Sequence, residues 1–346
     1  MHSLLPFLLC GVALAGQSVV SNTLPRLNAA DNSTLDLHDG TTLKIGNTFY
    51  WFGASYGSCE EMSSGCASIK VGACGFNLNH TVSVATSTDL VSWTLVSSSI
   101  LPVRPTGIMF SPWVAQSAAT GMYVLWVNIL PVVDGTGEFD QAFYLVSESA
   151  QPEGPYTVVN PNVTGLAYKQ LPDAPSIFVD AATGAGYIAF THEDTHVNHV
   201  QELTSDLHGP KPGGRVSAQV GPGNNEGVFM FQRGRQYFVG FGQCCCFCAG
   251  GSNVDLYVAQ DPLGPYAFAA TVMTPSVWHA QTGTVWFTGQ DFVLFGDRWQ
   301  SASDHLKRCV GVEGGVGGGG AGNWMQHLTQ PSSPSLSHSL APQPRL

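Results

Sequence analysis

Apolar and polar positions along the chain alternate in short bursts, not in helical stripes. Five stretches repeat one arrangement, a Gly or Asn turn followed by aromatic and β-branched residues. They are 46–52 (GNTFYWF), 121–127 (GMYVLWV), 184–191 (GAGYIAFT), 234–240 (GRQYFVG) and 289–295 (GQDFVLF). Their aromatics, Tyr50, Tyr123, Tyr187, Tyr237 and Phe292, stand 73, 64, 50 and 55 residues apart. Such runs between turn formers read as strands. A second motif recurs between them: 87–93 (STDLVSW), then 151–156 (QPEGPY), then 261–266 (DPLGPY). Strand-like 82–85 (VSVA) precedes the first of these and 256–259 (LYVA) the last. Windows with 3.6-residue periodicity and caps are absent, so helices are not expected. β units repeated at about 50 residues predict a propeller, and five copies predict five blades. A β-sandwich is the competing all-β reading, and it leaves the spacing unexplained.

The two ends break this pattern. Residues 4–15 are apolar, too short to span a bilayer, which takes about 20 residues. They end in Ala13-Leu14-Ala15, a small-x-small cleavage pattern, so residues 1–15 read as a secretory signal peptide. Its leading residues hold His2 but no Lys or Arg. Residues 313–346 open with a nearly pure Gly run and continue rich in Ser, Pro, Gln and His. Such a segment cannot build a core and is expected to be disordered. The propeller is therefore assigned to residues 16–312, with little chain left to complete its last blade. Either that blade is short, or the segment from about Gln17 helps to close it.

Composition narrows the function. The 346 residues carry 13 Lys+Arg and 24 Asp+Glu, a net charge of −11, and only 11% are charged. An acidic chain without basic clusters lacks the footprint of a nucleic-acid binder. No later stretch is apolar enough to be a membrane span. Low charge with 40 Gly and 21 Pro suits a secreted all-β protein. The sequons at Asn32, Asn79 and Asn162 agree with secretion. Nine cysteines become eight once Cys10 leaves with the signal peptide. Cys59, Cys66 and Cys74 crowd one segment, and Cys244, Cys245, Cys246 and Cys248 another, with Cys309 alone. Eight cysteines in a secreted chain favour disulfides, with the pairing open. Zinc at Cys245-x-x-Cys248 is the rival reading, and it lacks a second pair of ligands. His192, His196 and His199 read as a surface loop, with a metal cluster as the alternative.

Several motifs resemble glycoside hydrolase family 43, and most nearly its exo-β-1,3-galactanase type. They are His38-Asp39-Gly40 ahead of Phe49-Tyr50-Trp51, the 87–93 motif, Pro175-Ser176-Ile177-Phe178-Val179-Asp180, Asn225-Glu226-Gly227-Val228-Phe229, and Gly296-Asp297-Arg298-Trp299. The likeness covers residues 36–310. It implies a five-bladed propeller that hydrolyses β-linked glycans, galactan or arabinan/xylan in type, with inversion. Inversion needs one carboxylic acid to protonate the leaving oxygen and a carboxylate across the sugar to activate water.

By this resemblance Glu226, leading an apolar strand, is the acid; a solvated loop Glu is the competing reading. Asp39 stands where the family base does, although Asp-Gly is also a common turn pair. The galactanase type often has Gly at that place and uses a Gln, which Gln281 in 279–282 (HAQT) matches. Asp173 is the third carboxylate, and Asp180 reads as a hairpin-turn residue. Trp51, Trp113, Trp278 and Trp299 are candidates to stack on sugar faces, with a place in the core as the alternative for each. Arg298 is a further substrate-site candidate, and an internal Arg–Asp pair competes with that role. Two departures stand out: the galactanase pattern has Glu where this chain has Ala54 and Phe110. They motivate an alternative, a catalytically inactive carbohydrate-binding propeller. Some members hold a central calcium. Gln281 stands where a His often sits in those, so no cofactor or metal is expected here. The expected partner is an oligo- or polysaccharide, and the expected state a secreted monomer.

Overall fold

A computed structural model describes residues 26–56, 80–137, 139–167, 172–192, 195–243, 254–273, 279–288, 291–299 and 313–316. In the last two strand pairs only the side chains of Thr284 and Val285 are described. Residues 1–15, all nine cysteines, the sequon at Asn79, Trp278 and the tail beyond 316 lie outside the described residues.

The chain is an all-β propeller of antiparallel meanders. The first sheet holds β1 (His38–Ile45), β2 (Thr48–Ala54), β3 (Val82–Ser87) and β4 (Thr94–Ser97) in that order. The second begins with β5 (Ile108–Gln116) and β6 (Tyr123–Leu130). A small ribbon of β7 (Val132–Val133) and β8 (Thr136–Gly137) follows, and β9 (Phe143–Ser149) and β10 (Thr157–Asn160) complete the sheet. The third holds β11 (Pro172–Val179), β12 (Gly186–His192) and β13 (Asn198–Glu202). The fourth holds β14 (Asn225–Arg233), β15 (Gln236–Gln243), β16 (Val254–Ala259) and β17 (Ala267–Met273). These are the four blades whose packing is described. A last sheet of β18 (His279–Thr288), β19 (Asp291–Trp299) and β20 (Glu313–Val316) forms a partial blade. The only helical element among the described residues is a 3-10 turn at Phe139–Gln141. No described helix is long and apolar enough to cross a membrane.

The repeat legible in the sequence is the second strand of each sheet: β2, β6, β12, β15 and β19. The turns ahead of β2, β6, β12 and β15 have a glycine with positive φ, at Gly46, Gly121, Gly184 and Gly234, where an L side chain would be strained. Strand β6 is buried at all eight positions. Blades packed face to face cover both faces of a middle strand, so the usual in–out alternation disappears.

One expected boundary moves. Residues 313–316 are not tail: they pair with β19, Glu313 opposite Gly296 and Val316 opposite Val293. Among the described residues the third blade has no regular outer strand. Isolated bridges from Asn198 to Val220, Gln201 to Val216 and Leu203 to Pro210 stand in for it.

The first strands line the axis and touch in a ring, β1 to β5, β5 to β11, β11 to β14, β14 to β18 and β18 to β1. The contacts are level. The Trp113 indole N–H on β5 donates to the Ile177 carbonyl on β11 at 2.9 Å. The Met230 amide on β14 donates to the Ser176 hydroxyl on β11 at 3.0 Å. Thr284 on β18 closes the ring, its hydroxyl 3.2 Å from that of Thr41 and 3.0 Å from the donating amide of Thr42.

Candidate active site

Each axial strand carries the same irregularity near its start. Between Phe110 and Trp113, Pro172 and Pro175, and Glu226 and Phe229, two residues on the axial strand face one on its neighbour. His38–Thr41 repeats this on β1, and Gln281–Gly283 on β18 slips by one residue in the same sense. A bulge adds one residue, bends the strand and re-aims the side chain there. All four residues expected to carry the chemistry, Asp39, Asp173, Glu226 and Gln281, lie at these bulges. Asp39 (φ 52°), Ser111 (φ 47°) and Gly227 (φ 63°) adopt left-handed backbone within them. Gly40 has a separate reason to be Gly: a Cβ there would lie 1.7 Å from the Phe52 carbonyl oxygen.

Asp173 and Glu226 start neighbouring strands and act on each other. Burial, and next the Glu226 charge, push the Asp173 carboxyl up to about 7 from an ordinary 3.8, against a hydrogen bond from the Ala174 amide. The Tyr144 hydroxyl donates to the Asp173 carbonyl and so fixes the backbone there. A negative charge on Glu226 thus opposes ionisation of Asp173. His196 lies against this pair, its Nδ1 3.7 Å from Glu226 Oε1. His196 has φ 47°, and its amide and carbonyl bond to the His192 carbonyl and the Asn225 amide, which fixes the turn against β14.

Asp39 sits apart, on β1, separated from β11 and β14 by β5 on one side and β18 on the other. It is 3% exposed, and the Tyr56 hydroxyl donates to its Oδ2 at 2.7 Å. The Tyr56 ring stacks on His38 at 5.1 Å and meets His80 edge-on at 5.3 Å and Phe110 at 5.8 Å. Buried His80 accepts the Met109 amide proton at Nε2. Its pKa is pushed down to about 3 by burial, with the Arg104 charge adding to it, so the ring is neutral. Gln281, Arg298 and Trp299 are placed by their backbone on β18 and β19.

Two tryptophan candidates resolve to the core. Trp51 is 1% exposed and packs edge-to-face on Trp93 at 5.4 Å, among Leu35, Leu37 and Phe49. Trp113 is 4% exposed, with its indole N–H bonded across blades to Ile177. Neither offers a face to a sugar. The histidine loop is also corrected: His192 ends β12, His199 lies within β13, and both are buried, their rings edge-to-face at 5.1 Å. Only His196 lies in the turn. No group of three or more His, Cys, Asp or Glu among the described residues is arranged to hold a metal ion. Asp180 is the hairpin-turn residue expected, accepting from the amides of Ala182 and Thr183.

Sequence reasoning passed over Tyr56, and it read His196 as part of a surface loop with a metal cluster as the alternative. Neither falls in a repeated motif, and each becomes visible only where turns bring it to a carboxylate.

No family model matches the sequence, and a search of curated proteins finds no match. Solved structures match the fold. A family-43 β-1,3-galactosidase is similar at TM-score 0.65 and 18% identity, over 85% of this chain and 58% of that one. An exo-β-1,3-galactanase from Clostridium thermocellum is similar at 0.64 and 19%, over 86% and 62%. One from Phanerochaete chrysosporium, solved with galactose, is similar at 0.64 and 20%, over 86% and 63%. The chain spans about three fifths of the length of these three structures. What it shares with them is the propeller fold.

Proposed function

We propose that the protein is a secreted family-43-type glycoside hydrolase that cleaves β-linked glycans of the galactan type with inversion. The carrying observation is that Asp173 and Glu226 start two adjacent axial strands, where burial and next the Glu226 charge raise the Asp173 carboxyl. An inverting enzyme needs a carboxylic acid still protonated near neutral pH, and a like-charge pair in a partly desolvated site provides one. Glu226, 17% exposed, acts as the general acid toward the leaving oxygen. Asp173, on the adjacent axial strand, is the third carboxylate that tunes this acid through like-charge proximity. Asp39 takes the proton of the attacking water from the other side of the ring, with Gln281 on the adjoining strand orienting that water. A base of this kind needs contact with one water, not open solvent. The galactan preference follows the exo-β-1,3-galactanases among the structures that share the fold. Secretion rests on residues 1–15, and the N-terminal sequence of protein recovered from medium tests it.

Hydrolysis of β-1,3-galactan and aryl β-galactosides by wild type and Glu226→Gln tests the assignment. General acid catalysis supplies roughly 10²–10⁴-fold, so the variant should lose that much on the polysaccharide and less on aryl substrates with good leaving groups. Equal turnover by both proteins would sink it. A second reading, a glycan-binding propeller without turnover, is favoured by Phe110. This buried apolar residue stands at the β5 bulge where the galactanase pattern has Glu. Saturable galacto-oligosaccharide binding with no product after long incubation selects that reading.

A further inference from the structure

We propose that Tyr56 is the positioning residue of Asp39, holding its carboxylate in the ionised form and in one rotamer for proton abstraction. The inference rests on the reading of Asp39 as the general base.

Three observations carry it. First, Asp39 occupies left-handed backbone at φ 52°. Such a conformation costs an L residue on the order of 1–2 kcal/mol, least for Asp and Asn. The equivalent bulge position of β14 is Gly227, which adopts it freely. The carboxylate is thus kept where the backbone would favour Gly. Second, Asp39 is 3% exposed, and a buried carboxylate is costly unless hydrogen-bonded. Tyr56 provides a 2.7 Å bond to Oδ2. A donor aimed at the charged form favours that form. Third, Tyr56 is itself immobilised. It is fully buried, with its ring between His38, His80 and Phe110. Its amide donates to Asp36 Oδ1 at 3.1 Å, and the same oxygen lies 3.1 Å from His38 Nε2. The preceding Ser55 is pinned to β3, hydroxyl to hydroxyl with Ser83 at 2.6 Å. Titratable and charged groups near the pair include Asp36, His38, His80 and Arg104.

The test is the pH profile of kcat/KM for β-1,3-galacto-oligosaccharide hydrolysis by wild type, Tyr56→Phe and Asp39→Asn. Phe keeps the ring packing and removes only the hydroxyl. Without the donor, the Asp39 carboxylate is protonated at higher pH. The acidic limb should then move up by about one unit, a roughly tenfold loss on that limb, while the alkaline limb stays in place. A Tyr56→Phe limb at the wild-type position overturns the proposal, even if thermal stability falls. Full turnover by Asp39→Asn instead removes the base reading itself, so the two failures are distinguishable. Should Tyr56→Phe not fold, tyrosine labelled with ¹³C at Cζ is followed by NMR in wild type and Asp39→Asn. A Tyr56 resonance that titrates with Asp39 in wild type supports the pairing, and one that is flat in both overturns it.

Discussion

Replacing Asp173 by Asn should make the stability of the protein respond differently to pH. The carboxyl titrates at about 7 in the folded chain, against an ordinary aspartate value of 3.8 in the unfolded one. Below about pH 4 both states carry the proton, and the group contributes nothing to pH dependence. Between about 4 and 7 only the folded state holds it. The unfolded chain then binds fewer protons, so stability falls as pH rises. Above about 7 the penalty is complete. Three pH units at 1.36 kcal/mol each set a ceiling of about 4 kcal/mol. Asn carries no proton equilibrium and escapes this penalty. Denaturant titrations of wild type and Asp173→Asn at pH 4.5, 6 and 7.5 read the difference directly. The variant should gain on wild type by about 2–4 kcal/mol across that range. A difference that is constant with pH, or that shrinks as pH rises, would falsify the assignment of a raised Asp173. Glu226→Gln provides an internal check, because removing the neighbouring charge lowers the Asp173 titration and narrows the window.

Further outcomes follow from packing. Trp51→Ala should cost about 3–5 kcal/mol, as buried aromatic truncations do, with saccharide affinity of the folded protein unchanged; calorimetry of binding beside denaturation separates the two. Trp113→Phe should cost about 1–3 kcal/mol, because the Ile177 carbonyl loses its donor in the interior; a change in KM without loss of stability would place this side chain against substrate instead. Thr284→Val should lower stability by about 1–3 kcal/mol through two lost bonds to β1; an unchanged denaturation midpoint argues against closure through this residue.

The second strand of every sheet was legible because a turn glycine followed by aromatics leaves a strong local mark. The first strands were harder to see. What organises them is a one-residue bulge, which has no period and no composition of its own. Its common position shows only when each axial strand is aligned with its neighbour. Asp39, Asp173, Glu226 and Gln281 were singled out one by one, by resemblance to a family pattern, and the structure places each at a bulge. Trp51 and Trp113 were ambiguous because a tryptophan on a strand looks the same in a core and beside a sugar. His192 and His199 read as a loop because the polar run 191–199 (THEDTHVNH) hides the ends of two strands. Residues 313–316 read as tail because a Gly-rich strand lacks the side chains by which strands are recognised.

The clasp between Thr284 and β1 bears on how the chain folds. Its partners are 242 and 243 residues apart. Bringing the ends of so long a loop together costs about 5 kcal/mol of chain entropy, from (3/2)RT ln n. Two hydrogen bonds at about 1 kcal/mol each do not offset that. The rest must come from the seam of β1 against β18 and β19, which forms only after the earlier blades have shortened the gap. During synthesis β1 therefore emerges early with its outer flank open, and it stays so until residues near 284 leave the ribosome. At 5–20 residues per second that is on the order of 10–50 seconds. For that interval the face of the first sheet that meets the last one is uncovered, and the last sheet acts as the lock that closes it.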